Sequence, residues 1–157
     1  MKKLMTFVLA LICMLGMVGC GDTEQEQAAA YSFRGEHTYF TISNGSIILS
    51  DTEEVFDGGD LQITQPEKFE EVASYSTTFY TLIDGERRII LSNRVTDQTG
   101  GSVNFSGDLG TGSASGQGIL IGGKVESIDT LKENLWFELE TTDLSGEENV
   151  YQIQLTF

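Results

Sequence analysis

The chain has 157 residues, room for one domain with its own core. Nine lysines and arginines stand against 24 aspartates and glutamates, a formal charge of −15. Nucleic acid is therefore not expected among its partners, because phosphates are held by Lys and Arg, and the same charge disfavours lying flat on anionic lipid.

The first residues read as an export signal. Lys2 and Lys3 give a positive start, and residues 4–18 form an apolar run interrupted only by Thr6, Cys13 and Gly16. That length suits a signal peptide and falls short of the ~20 apolar residues that a membrane span needs. Met17-Val18-Gly19-Cys20 follows, and it resembles the lipobox of bacterial lipoproteins, with Met17 where leucine is usual. The resemblance implies cleavage before Cys20 and acylation of its thiol; two acyl chains anchor durably where one is marginal. The expected location is extracytoplasmic, anchored to the bacterial membrane by lipidated Cys20. Residues 1–19 are then the signal peptide and residues 20–30 the lipidated cysteine and a flexible tether. Ten residues of tether reach at most ~33–36 Å, so the domain beyond stands close to the membrane.

Cleavage removes Lys2, Lys3 and Cys13, leaving seven basic residues against 24 acidic ones, or −17. Cys20 is then the one cysteine left, so no disulfide, CxxC motif or cysteine-rich zinc site is available to the domain. No cofactor is required by any motif.

Residues 31–157 read as a single all-β domain, an antiparallel β-sandwich or a barrel-like form. The segment holds one proline, Pro66, and repeated alternation of apolar and polar residues. Asn44-Gly45, between residues 38–43 and 46–49, predicts a type I′ hairpin, whose two central residues need positive φ. Glu67 to Val72 predicts a turn or two of helix after Pro66, with Phe69 and Val72 facing inward. Asp84-Gly85 predicts a second hairpin joining residues 75–83 to 86–91. Strands are expected at 103–108 and 118–127, and a mobile Gly/Ser-rich loop over 99–123. The last hairpin is expected between residues 135–142 and 150–157, around Asp143-Leu144-Ser145-Gly146. There the alternation is strict: Leu135, Phe137 and Leu139 on one face, Trp136, Glu138 and Glu140 on the other. No longer helix is expected. In its general character the domain resembles the small β-rich lipoproteins of unassigned function, a likeness that carries no functional residues with it.

Few residues carry the marks of chemistry. Residues 51–60 hold five carboxylates; Asp51, Glu53, Asp57 and Asp60 are the candidate calcium ligands, since calcium takes six to eight oxygens. The spacing is not that of an EF-hand, and a solvated turn accounts for the same composition. Gly110–Gly116 is one residue too long for a dinucleotide fingerprint, and Gly112-Ser113-Ala114-Ser115-Gly116 puts alanine where a hydrolase elbow has its nucleophile. His37 is the only histidine and has no nucleophile context beside it. Trp136 is the candidate contact for a ligand or partner, since an indole flanked by carboxylates stacks on a sugar or anchors a protein. Against this stands the expectation that loops cover the outer side and the indole fills a second part of the core.

The expectation is thus a membrane-anchored, non-catalytic binding or interaction domain at the cell envelope, with a protein or glycan partner there. Its rivals are a calcium-dependent or carbohydrate-binding β-sandwich module and an envelope enzyme or inhibitor.

Overall fold

A computed structural model of the chain describes residues 28–123 and 125–157. The signal segment, the lipobox with Cys20 and all but the end of the tether lie outside the described residues. In chain order the strands are β1 (Ala29–Glu36), β2 (Phe40–Leu49), β3 (Glu54–Asp57), β4 (Asp60–Ile63), β5 (Val72–Ile83), β6 (Glu86–Thr96), β7 (Asp108–Gly110), β8 (Ser113–Gly116), β9 (Leu135–Asp143) and β10 (Glu148–Gln154). They form two antiparallel sheets: a six-stranded one ordered β7-β4-β2-β3-β8 with β1 also on β2, and a four-stranded one ordered β10-β9-β5-β6. Neither closes on itself, so the all-β expectation takes its sandwich form and not the barrel.

The six-stranded sheet is crossed by a line of backbone irregularity. Asn44-Gly45 does not make the expected hairpin. Asn44 adopts φ 58° inside an unbroken β2, and opposite it the register of β1 slips between Phe33 and Gly35. The result is a bulge, which shifts the inward side chains from the even positions Phe40 and Ile42 to the odd position Ile47. At the same level Gly58-Gly59 separates β3 from β4, and Thr111-Gly112 separates β7 from β8. The Gly58 N–H donates to the Gly112 carbonyl and the Thr111 N–H to the Gly59 carbonyl, each at 2.9 Å. Gly59 has φ 74°, and a Cβ there would run into the Ser43 carbonyl, so glycine is required by both conformation and space.

The four-stranded sheet is more regular. Its β5–β6 hairpin turns at Asp84 (φ 52°) and Gly85 (φ 77°), the pair of positive φ values that a type I′ turn needs. In β9–β10 the Asp143 carboxylate accepts the Ser145 and Glu147 N–H groups at 2.8 and 2.9 Å, which holds the expected turn. Between the sheets the core is aromatic. Ring centroids of Phe33 and Phe56 lie 5.3 Å apart, Phe56 and Phe79 5.1 Å, Phe79 and Phe137 5.0 Å, a chain of contacts that crosses from one sheet to the other. After β10 the chain passes to the other sheet, where Thr156 and Arg34 exchange backbone hydrogen bonds at 2.9 Å.

The connections differ most from expectation. Residues 103–107 form no strand; Phe105 is buried against Phe69 and Tyr75, and the ladder begins only at β7. The Gly/Ser-rich run is in part sheet, since it contributes β7 and β8. Residues 118–123 and 125–127 make no strand, only one bridge, Gly122 to Val125, and the segment is pinned where the Glu54 carboxylate accepts the Leu120 and Ile121 N–H groups. A seven-residue helix, α1 (Ile128–Asn134), was not expected; Ser127 caps it by accepting the Thr130 N–H, and Leu131 anchors it in the core. The turn after Pro66 is a 3₁₀ helix over Pro66–Lys68, with Phe69 and Val72 buried as their spacing implies. No helix among the described residues is long and apolar enough to cross a membrane.

Candidate functional site

The outer face of the four-stranded sheet gathers chemistry that the core does not use. Register places residues of four strands side by side in rows. Gln154, Trp136, Tyr80 and Ile89 form one row; Gln152, Glu138, Thr78 and Ser92 the next; Val150, Glu140, Ser76 and Arg94 a third. Beyond the first row Leu82 lies opposite Arg87.

At the centre is an ion pair. The Arg87 guanidinium donates to both oxygens of Glu138, at 2.9 and 2.7 Å, and lies 4.0 Å from the centroid of the Tyr80 ring. Gln152 donates to the Glu138 Oε2 at 2.6 Å. These neighbours leave Glu138 only 8% exposed although it faces outward. The hydrogen bonds from Arg87 hold its carboxyl below the usual carboxylate range, helped by Gln152 and opposed by burial. The same pairing raises the Arg87 pKa. Burial raises the Tyr80 phenol, and the nearby guanidinium offsets part of that rise. The phenol therefore stays neutral and the ion pair charged near pH 7.

Around this network the face carries open apolar side chains beside the polar Glu140 and Arg94. Leu82 is 40% exposed, Val150 55% and Ile89 58%, while Trp136 is half-buried. Its register neighbours in the row are Tyr80 and Gln154 of its own sheet. Trp136 shares its face with Glu138 and Glu140, as strand parity predicts.

The acidic segment does not assemble in the same way. Asp51 and Glu53 lie in the exposed turn between β2 and β3. Asp57 and Asp60 flank the Gly58-Gly59 break several residues along, where Asp57 accepts the Gly59 N–H at 2.9 Å and Asp60 accepts from the Asn44 side chain at 2.8 Å. No group of three or more His, Cys, Asp or Glu placed to hold a metal ion occurs among the described residues. His37 stacks on Phe40 at 4.7 Å, and its Nδ1 accepts the Tyr39 N–H at 3.2 Å, a role in local packing.

Arg87 and Tyr80 are the residues that sequence reading missed. Their signal was present: the Asp84-Gly85 hairpin fixes the register, and alternation from Thr81 and Ile83 inward puts Tyr80, Leu82 and Arg87 on the outer face. Comparison with protein-family models, curated proteins and solved structures finds no match.

Proposed function

We propose that this chain is a lipid-anchored protein of the bacterial envelope that binds another protein, without catalysis, through the outer face of its four-stranded sheet. The observation that carries the proposal is the set of exposed Leu82, Ile89 and Val150, with half-buried Trp136, on the face that holds the paired Arg87 and Glu138. Tryptophan, tyrosine and arginine are the residues that dominate protein interfaces, and the charge at the centre of this patch, Glu138, already has its guanidinium partner.

A glycan fits the same face less well. Sugars need free hydrogen-bonding groups beside the aromatic ring, and here the Gln152 amide is engaged with Glu138 and the Gln154 amide donates to the Glu133 carbonyl at 2.6 Å. The anchor follows from the Cys20 motif, and the short tether keeps the sheet within reach of neighbours at the membrane.

Two experiments test the reading. Fractionation of cells expressing Cys20→Ala should find the protein lost from the membrane with its domain still folded; retention equal to the wild type contradicts the anchor. A glycan array, run beside binding to candidate envelope proteins, decides the ligand class. Protein binding lost with Trp136→Ala and Ile89→Asp supports the proposal, and glycan binding lost with Trp136→Ala overturns it.

A further inference from the structure

Strand β6 is a free edge. It ends the four-stranded sheet on one side, runs for 11 residues, and leaves every one of them exposed except Ile90 and Leu91. Strands of about five or six residues are usual, and proteins cover or shorten long edges because unpaired N–H and C=O groups recruit other strands. Here no backbone group from Arg87 to Thr96 bonds to anything but β5 among the described residues.

The hairpin decides which groups point outward. Its two-residue turn makes Ile83 and Glu86 a hydrogen-bonded pair, and alternation from there turns the N–H and C=O of Arg87 and Ile89 away from β5. Past the extra residue Ile90 the same holds for Ser92 and Arg94. The Thr78 and Ser92 hydroxyls meet at 3.0 Å across their pair, the close spacing of one without backbone bonds.

The edge is also basic in an acidic protein. Three of the chain's four arginines, Arg87, Arg88 and Arg94, lie on β6 beside one carboxylate, Glu86, while the chain as a whole carries −15. Glu138 matches the charge of Arg87. Arg88 donates to the carbonyls of Gly118 and Gly122, at 2.7 and 3.0 Å, which hold the guanidinium without neutralising it, and Arg94 forms no ion pair among the described residues. Charged residues on an edge turn away neutral strands and strands of their own sign, so an acidic strand is the one that this edge admits. Val95, 43% exposed on the side away from Arg94, offers a contact to the alternate, apolar residues of such a strand.

We propose that the protein partner of this sheet adds an extended, carboxylate-bearing segment to β6 as a fifth strand, its carboxylates beside Arg94 and its alternate residues against Val95. The proposal rests on the reading that this sheet meets a protein, and it adds the way in which that protein engages.

The test is a backbone amide NMR titration of the full chain in detergent, with a capped octapeptide of alternating glutamate and valine as the probe and its lysine–valine counterpart as the control. The expected result is saturable shifts along Arg87–Thr96 with the glutamate peptide, and binding about tenfold weaker or less with the lysine one. Ser92→Pro removes an outward N–H and leaves the β5–β6 ladder its bonds, so it should abolish binding, while Ser92→Ala, which keeps that N–H, should bind as the wild type does. Arg94→Glu puts the question without a change of backbone and should weaken the glutamate peptide about tenfold. Trp136→Ala should bind the peptide normally, since Trp136 lies two strands in from the edge, so the outer-face reading and the edge fail separately. Shifts that never saturate, equal binding of the lysine peptide, or unchanged affinity in Arg94→Glu or in folded Ser92→Pro would each overturn the proposal. Self-association through Arg87–Thr96 in place of peptide binding would assign the edge to a second copy and overturn it as well.

Discussion

The two sheets of this sandwich are built by different means. The six-stranded sheet owes its shape to backbone exceptions: Asn44 at positive φ, the Gly58-Gly59 break and the Thr111-Gly112 break lie at one level across the strands. Its polar side chains largely serve that shape, as when Asp60 accepts from Asn44 and Glu54 pins the backbone at Leu120 and Ile121. The four-stranded sheet is close to plain alternation, with one bulge in each ladder of β5. Its inner face packs Phe79, Phe137 and Leu139 into the core, and its outer face is left free to carry Trp136, Tyr80, Arg87 and Glu138. A regular ladder fixes side-chain positions well, and that is where a binding surface gains most from rigidity.

This contrast breaks first if the backbone line can be disturbed without harm. Gly59→Val, which adds a branched side chain at φ 74° and drives it into the Ser43 carbonyl, should lose about 3 kcal/mol or more in urea unfolding. A loss under about 1 kcal/mol would mean that the break is incidental to the fold. Next comes the ion pair. Glu138→Gln should cost about 1–2 kcal/mol, at the low end for a paired carboxylate because Arg87 keeps 37% of its side chain in water. The deficit should depend on pH. Because the folded pKa of Glu138 lies below its ordinary value, its contribution is complete above the unfolded pKa and is lost as pH falls through the folded one. Wild type and Glu138→Gln should therefore converge in stability on acidification below about pH 4. A pH-independent gap would assign the loss to packing. The smallest effect on stability belongs to Trp136→Ala, about 1 kcal/mol, because the indole is half-buried on an outer face. A loss of about 3 kcal/mol would place it in a core, as full burial of an aromatic ring requires.

How far each sheet was legible in the sequence follows the same division. Strict alternation in β9 and β10 and the Asp84-Gly85 turn gave the four-stranded sheet's hairpins and its faces, Trp136 included, because a period of two needs no knowledge of the partner strand. The six-stranded sheet was harder. Asn-Gly signals positive φ, and both a hairpin and a bulge use it; only pairing with β1 on one side and with β3 and β4 on the other decides for the bulge. The parity slip from Phe40 and Ile42 to Ile47 was the local hint. The strands β7 and β8 are three and four residues of Gly, Ser, Asp, Leu and Ala with little propensity of their own, and only the ladders of β4 and β3 fix them. Helix α1 had a cap in Ser127, but at seven residues it has barely two turns of pattern to show. The outer face was half-visible: Trp136 and Glu138 by parity within one strand, Arg87 and Tyr80 only once two hairpins are laid side by side. The carboxylates of residues 51–60 looked most like a site because they are close in sequence. Their spread along a hairpin and across the Gly58-Gly59 break separates them.

The central claim, that the outer face of the four-stranded sheet meets a protein partner, is tested most directly by site-specific photocrosslinking in the cells that make the protein. A benzophenone amino acid at Ile89 probes that face, and one at Ile48, 40% exposed on the six-stranded sheet, serves as the comparison. The account predicts one discrete adduct from Ile89, lost when Trp136 is changed to alanine and not seen from Ile48. Equal adducts from both positions, an adduct from Ile48 alone, or an Ile89 adduct indifferent to Trp136 would contradict it.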